Sequence, residues 1–323
     1  MTTSQRVVPP ADPSLGGEPS RGSGWSITTL TRALVVLLLF GGLVVALEGG
    51  WEKLREYQWQ LEPWAVGASL SAMIVATVWG ALAWWVIARA FGSTVSARPA
   101  LRVYSTSNLG KYLPGKVWHA FARVYLAQQQ GMPLSLATTV VVTDIVLYVA
   151  AGSLVTVLAL PTVISSVGMV SGRIAVGIAL AAVVAGLALL HPASLNLAFR
   201  VAHRVMPART FPPIEASYST ILKIFALYVV QWCVYALALY EAIQAVYPLA
   251  AVTFPTLGAI YALSYLSGLI MPLAPAGLGV REGLMALLLS QLMPLPAAAV
   301  ASVLVRVLQV AAEGLCAAVF SRV

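Results

Sequence analysis

Charged residues are scarce in this chain, and their scarcity excludes a soluble protein. Asp, Glu, Lys and Arg make up 9% of the 323 residues, whereas hydrophobic residues make up 60% and the mean hydropathy is +0.88. A soluble domain of this length cannot hide so much apolar surface from water. The chain is therefore expected to be a polytopic membrane protein.

Motifs of metal, redox and ATP chemistry are also missing. The two cysteines, Cys233 and Cys316, both lie in apolar stretches and indicate neither a disulfide nor a metal site. The sequence contains no Gly-x-x-x-x-Gly-Lys-Ser/Thr loop, no Gly-x-Ser-x-Gly elbow, no His-Glu-x-x-His and no Cys-x-x-Cys. We therefore expect no cofactor, no metal, no catalytic residue and no ATP-driven motor.

Six segments are long and apolar enough to cross a bilayer, which takes about 20 residues. They are Thr28–Leu47, Trp64–Ala90, Leu134–Leu160, Ile174–Leu190, Ile221–Val246 and Ala297–Phe320. Residues 1–26 are rich in Pro, Gly, Ser and Thr, which predicts a disordered tail. Residues 27–322 are expected to form a single integral membrane domain.

The distribution of charge orients these spans. Most Lys and Arg residues lie in the tail, in residues 89–123 and in residues 191–223, whereas residues 48–62 carry four glutamates. Basic loops stay on the cytoplasmic side, so both termini are predicted to be cytoplasmic in a cell membrane protein. The net charge of +8 is explained by these loops and does not indicate a nucleic-acid partner.

The chain contains an internal repeat. When residues 104–151 are aligned without a gap with residues 265–312, identical residues recur at many positions, among them Tyr104/Tyr265 and Pro114/Pro275. The identities are well above the roughly one match in ten that chance would give in so apolar a chain. The repeat halves are approximately residues 27–160 and 174–322.

Each half contains an apolar segment interrupted by Pro and Gly, at residues 100–130 and 256–293. With the orientation above, the first begins and ends on the cytoplasmic side and the second on the outer side. The predicted fold is all-α, with six transmembrane helices and two re-entrant hairpins in an inverted-topology repeat, whose tips line a polar cavity. The tip residues are Pro114, Gly115, Pro275, Gly277 and Gly279. Alternatively, 256–293 forms two short spans and 100–130 lies on the membrane surface.

Two motifs carry a family resemblance. The run from Asn108 to Trp118, followed by Arg123, and the run from Pro275 to Glu282, followed by the span with Arg306, resemble the lysylphosphatidylglycerol synthase transmembrane family, also called the flippase-like domain family. The resemblance covers about residues 30–320 and implies a protein that moves a lipid between leaflets. The multiple peptide resistance factor of this family carries a soluble aminoacyl-transferase domain after its membrane part. This chain ends at Val323, so lysyl-lipid synthesis is not expected of it.

Several residues near the interruptions are candidates for binding a lipid headgroup. Cations at bilayer depth are costly unless they are paired or bound to phosphate, and Arg binds phosphate in a bidentate manner. The candidates are Asn108, Lys111, Lys116, Arg123, Arg281, Glu282 and Arg306. The lysines could instead extend to the cytoplasmic interface, Asn108 could cap the hairpin, and Glu282 could cap the following helix or pair with Arg281.

Three further charges lie deep in predicted spans. Asp144 aligns with Val305 in the repeat, next to Arg306, so the two are predicted to meet across the pseudo-twofold axis. Glu313 lies two turns from Arg306 and is a competing partner. Such a pair could be a structural salt bridge or a gate that opens during transport.

These features favour translocation of an anionic phospholipid, an aminoacylated phospholipid or a polyprenyl-phosphate-linked lipid, by a protein that is not an enzyme. One alternative is a non-catalytic membrane partner of a separate lipid synthase or glycosyltransferase. The other is an enzyme of lipid-headgroup chemistry that uses Asp144 and Glu282 as acid and base.

Overall fold

A computed structural model describes residues 61–113, 117–167, 172–205, 212–249, 254–270 and 277–322. Within these ranges the chain is all-helical. The helices are α1 (Pro63–Ala90), α2 (Ala97–Asn108), α3 (Trp118–Gln129), α4 (Leu134–Val167), α5 (Gly172–Leu189), α6 (Pro192–Val205), α7 (Tyr218–Gln244), α8 (Phe254–Ile270), α9 (Val280–Leu289) and α10 (Leu295–Ser321). The tail, the span Thr28–Leu47 and the residues Pro114, Gly115, Lys116 and Pro275 lie outside the described ranges.

Four helices are long and apolar enough to cross a membrane, and they match four of the six predicted spans. They are Pro63–Ala90, Leu134–Ala159, Tyr218–Gln244 and Leu295–Ser321. The predicted span Ile174–Leu190 forms α5. This helix is long and apolar enough to cross a membrane only when it is counted together with part of α6, and the two helices meet at a bend of 69°. The described residues thus hold four or five candidate spans, and the chain is a multi-pass membrane protein.

The order of helices recurs along the chain. Helices α1 to α4 are followed, half a chain later, by helices of the same order and similar length, α7 to α10; α4 begins at Leu134 and α10 at the equivalent Leu295. The packing recurs as well. Helices α1 and α2 of the first half both contact α10 of the second half, and the corresponding helices α7 and α8 of the second half both contact α4 of the first. The sequence repeat is therefore also a repeat of helix packing.

The equivalent helices α1 and α7 pack against each other in antiparallel directions. The Glu62 amide donates to the Ala245 carbonyl (3.1 Å), the Ser69 hydroxyl donates to the Ala238 carbonyl (2.7 Å), and the Gln231 amide donates to the Ala76 carbonyl (2.9 Å). The buried face of α1 carries small residues, which let two membrane helices approach closely. They include Ala65, Ser69, Ala72, Ala76, Gly80 and Ala83.

Each Pro/Gly-containing segment contains two helices, with the predicted Pro/Gly interruption between them. In the first, α2 passes into a 3₁₀ turn at Leu109–Tyr112, and α3 begins at Trp118. In the second, α8 ends at Ile270 and α9 begins at Val280, after Gly277 and Gly279 with φ of +72° and +82°. These positive φ angles favour glycine and allow the sharp entry into α9.

Candidate functional site

The polar side chains of the two interrupted segments surround a common cavity. Asn108, Lys111 and His119 line it from the first segment, and Tyr265 and Arg281 line it from the second. An adjoining cavity shares several of these residues and extends to Tyr104, Arg123, Asp144, Tyr148, Gln231 and Tyr235. Counted together with the open space at their mouths, the two cavities contain about 460 and 510 Å³ of empty space.

Arg123 forms an ion pair, a hydrogen bond and a contact with an aromatic ring inside the protein. Its Nη1 lies 2.5 Å from Asp144 Oδ2, its Nε donates to the Ser107 hydroxyl at 3.1 Å, and its guanidinium carbon lies 3.9 Å from the centroid of the Tyr104 ring. The Tyr228 hydroxyl donates to the other carboxylate oxygen of Asp144. Both charged residues are buried. A buried ion pair is favourable only when additional hydrogen bonds offset the loss of contact with water. Here Ser107 and Tyr228 form those hydrogen bonds.

The predicted contact between Asp144 and Arg306 is replaced by two other pairs. Helix α3 packs against α4 within the first half, which brings Arg123 rather than Arg306 to Asp144. Arg306 instead lies with its Nε 3.3 Å from Glu282 Oε1. The Gly279 amide donates to Glu282 Oε2 at 2.7 Å, so Glu282 caps α9, one of its two predicted local roles. Its ion pair is with Arg306, not with the adjacent Arg281.

Glu313 connects the first interrupted segment to α10. Its carboxylate lies 2.6 Å from Lys111 Nζ and accepts hydrogen bonds from the Tyr112 hydroxyl (2.9 Å) and from Gln309 Nε2 (3.0 Å). Glu313 is 1% exposed. Lys111 is therefore neutralised by the protein rather than extended to an interface.

Arg281 differs from these cations because no carboxylate among the described residues pairs with it. Its guanidinium carbon lies 4.0 Å from the centroid of the Tyr265 ring, and its Nη2 donates to Gln309 Oε1 at 3.2 Å. Its Nε has no hydrogen-bond partner in the described part of the chain, although Arg281 is only 6% exposed. A buried donor of this kind is normally hydrogen-bonded, and the described residues supply no acceptor for it.

Glycines hold Arg281 at the cavity wall. A Cβ atom on Gly268 of α8 would lie 2.2 Å from Cγ of Arg281, and one on Gly277 would lie 2.7 Å from Cα of Gly268. Only glycine lets the α8 backbone, the loop before α9 and the arginine stem meet so closely. The predicted tip residue Gly277 thus positions the arginine.

The two repeats present similar aromatic–arginine stacks with different surroundings, although the arginines do not align, since Arg123 corresponds to Leu284 and Arg281 to Ala120. Tyr104 and Tyr265, which are equivalent in the repeat, each carry an arginine over the ring. The first arginine also contacts Ser107 and Asp144; the equivalent positions in the second half are Gly268 and Val305, which offer no side-chain acceptor. The second half therefore supplies neither a hydroxyl nor a carboxylate to Arg281 from these two positions.

The structure brings most of the predicted residues together. Asn108, Lys111, Arg123 and Arg281 line the cavity, whereas Glu282 and Arg306 pair beside it. Asn108 ends α2 and makes no side-chain cap to the turn that follows. Sequence analysis missed the roles of Tyr104, Tyr265 and Gln309. The first two carry a signal, since their identity recurs at the repeat spacing. For Gln309 the signal is a polar residue inside an apolar span.

Comparison with known proteins gives one family. No curated protein matches the chain. Residues 30–315 match the family described as the lysylphosphatidylglycerol synthase transmembrane region. The matched range contains both interrupted segments and every residue that lines the cavity. This chain belongs to the lysylphosphatidylglycerol synthase transmembrane family.

Proposed function

We propose that this protein moves a lipid with an anionic headgroup between the leaflets of the cell membrane, without nucleotide hydrolysis of its own. The observation that carries the proposal is Arg281, a buried cation at the cavity wall whose Nε has no partner among the described residues. A phosphate oxygen at this nitrogen would supply the missing acceptor and the missing negative charge, in the geometry that guanidinium favours.

The balance of charge supports an anionic cargo. The cations around the cavity are Lys111, Arg123, Arg281 and Arg306, and the carboxylates are Asp144, Glu282 and Glu313. Three cations pair with three carboxylates, which leaves Arg281 in excess within the described residues. An uncompensated charge at bilayer depth is costly, and binding an anion removes that cost.

The antiparallel contact of α1 and α7 supports the inverted repeat. Helices that hold the same place in the helix order of the two halves and are antiparallel in space are related by a twofold axis perpendicular to them, which for spanning helices lies in the membrane plane. Such an axis also relates the interrupted segments, so we infer re-entrant hairpins from opposite sides, in a fold of six spans with both termini cytoplasmic. Alternate opening on the two sides would let the headgroup cross through the cavity while the tails stay in lipid.

Leaflet exchange in proteoliposomes tests this proposal. Fluorescent anionic phospholipids, or a fluorescent polyprenyl phosphate, are reconstituted with the protein, and a membrane-impermeant reductant quenches the outer leaflet. We expect the wild type to raise the quenchable fraction and Arg281→Ala to slow exchange about tenfold or more, because a hydrogen bond to a charged group contributes about 1.5–3 kcal/mol.

A matched control is Arg102→Ala, which removes an exposed arginine from the first interrupted segment. This variant should exchange lipid at the wild-type rate. If the wild type moves neither the anionic phospholipids nor the polyprenyl phosphate, the proposed translocation is wrong. Equal slowing by both variants would instead assign the effect to general surface charge.

A further inference from the structure

We infer that Gln309 sets the charge selectivity of the cavity, so that the headgroup it accepts carries one net negative charge. The inference rests on the proposed function and specifies its cargo. Gln309 lies on α10 and is 2% exposed. It belongs to neither predicted motif, and its role follows only from its contacts.

Gln309 joins two groups of opposite charge. Its Oε1 accepts hydrogen bonds from Arg281 Nη2 and from Arg306 Nη1, both at 3.2 Å, and its Nε2 donates to Glu313 Oε1 at 3.0 Å. An amide is suited to this place because it accepts through one atom and donates through the other. Glutamate would keep the bonds from the arginines but could not donate to Glu313 when ionised.

Because Gln309 is uncharged, it does not neutralise Arg281, and the described residues around the cavity keep one cation in excess. Arg306 has Glu282 as its carboxylate, whereas the hydrogen-bond acceptor that the described residues offer Arg281 is the uncharged amide oxygen of Gln309. A glutamate at this position would place a carboxylate within hydrogen-bond distance of Arg281. The described cluster would then have as many carboxylates as cations, and the attraction for an anionic ligand would be lost.

The charge of one uncompensated cation is balanced by a headgroup with one negative charge. A phosphodiester carries a single negative charge, whereas a phosphomonoester carries about −1.5 to −2 at pH 7. Because residual charge is expensive at bilayer depth, a complex with no net charge crosses most readily. The geometry therefore points to a phosphodiester with an otherwise uncharged headgroup as the preferred cargo.

The test compares leaflet exchange of three lipids with identical acyl chains at pH 8. Phosphatidylglycerol supplies a phosphodiester with one negative charge, phosphatidic acid a monoester, and phosphatidylcholine a zwitterion. The wild type should move phosphatidylglycerol fastest. Gln309→Glu should lower that exchange about tenfold or more and abolish the preference over phosphatidylcholine.

Two further variants separate charge from structure. Gln309→Glu combined with Glu313→Gln returns the number of carboxylates to three, with Lys111 in place of Arg281 as the unpaired cation, and should restore the preference for phosphatidylglycerol over phosphatidylcholine. Gln291→Glu makes the same change at an exposed glutamine just beyond α9 and should leave the preference unchanged.

The outcomes distinguish this inference from the proposed function. If the wild type moves phosphatidylglycerol and Gln309→Glu keeps its preference, Gln309 does not set selectivity, although translocation stands. Equal or faster exchange of phosphatidic acid by the wild type would contradict the single-charge assignment. If the wild type moves no anionic lipid of any class, the proposed function itself fails.

Discussion

Ser107 and Gly268 occupy equivalent positions in the two halves, and each determines the state of the arginine beside it. The Ser107 hydroxyl accepts a hydrogen bond from Arg123 Nε at 3.1 Å. At Gly268 the side chain is missing, and the stem of Arg281 fills the space where a Cβ would lie. The first half thus supplies an acceptor for Nε of its arginine, whereas Nε of Arg281 has no acceptor among the described residues.

On the proposed function, this asymmetry gives the two halves different tasks. Asp144 pairs with Arg123 as the phosphate of the lipid would pair with Arg281. Val305 and Gly268 stand at the positions equivalent to Asp144 and Ser107, so the second half lacks the carboxylate and the hydroxyl that Arg123 contacts, although the two arginines themselves are not at equivalent positions.

Adding a methyl group at Gly268 should displace Arg281. In Gly268→Ala the new Cβ would lie 2.2 Å from Cγ of Arg281, so the side chain or the α8–α9 contact must move. Overpacking of this kind costs about 1–3 kcal/mol. We expect a lower unfolding temperature in detergent and at least tenfold slower exchange of anionic lipid.

The matched control is Gly283→Ala in α9, where no heavy atom lies within 4 Å of the added Cβ. Alanine favours the helix by about 0.5–1 kcal/mol, so this variant should be as stable as the wild type or more so. Full lipid exchange in Gly268→Ala would show that the position of Arg281 is not important for transport.

The pair of Arg123 and Asp144 should behave as a structural unit. Breaking a buried ion pair from one side costs about 3–5 kcal/mol, because the remaining charge stays buried. Arg123→Met and Asp144→Leu should each destabilise the protein strongly, whereas the double variant should recover a large part of the loss. The measurement is a double-mutant cycle of unfolding free energies in denaturant. Additive effects would mean that the two charges do not depend on each other.

The Tyr112 hydroxyl should contribute to holding the first interrupted segment against α10. Tyr112→Phe removes its hydrogen bond to Glu313, a bond to a charged group worth about 1.5–3 kcal/mol. We expect lower stability and faster hydrogen exchange in residues 109–112. The control Tyr125→Phe removes the hydroxyl of an exposed tyrosine in α3 and should change neither property. If the two variants behave identically, the Tyr112 hydroxyl does not contribute to this contact.

Much of this fold could be predicted from periodicity and repetition, but the pairing of charges could not. Four predicted spans and both interruptions were found, because long apolar runs and Pro/Gly breaks are local signals. The alignment of the two halves placed Asp144 near Arg306 by symmetry, yet α3 lies closer to Asp144 than the symmetric partner does. Which of several buried cations reaches a carboxylate depends on helix packing, and an ungapped alignment does not contain that information.

The membrane orientation can be tested at positions that the structure links. The bond between Glu62 and Ala245 requires the start of α1 and the end of α7 to lie on the same side, and the charge pattern predicts that this side is the outer one. In a background with Cys233→Ala and Cys316→Ala, Leu61→Cys and Pro248→Cys should react with a membrane-impermeant maleimide in intact cells. Ser321→Cys, at the end of α10, should react only after permeabilisation.

Labelling of positions 61 and 248 from opposite sides would exclude the antiparallel contact of α1 and α7. Labelling of all three positions in intact cells would mean that α10 ends outside, and the inverted repeat with cytoplasmic termini would be wrong.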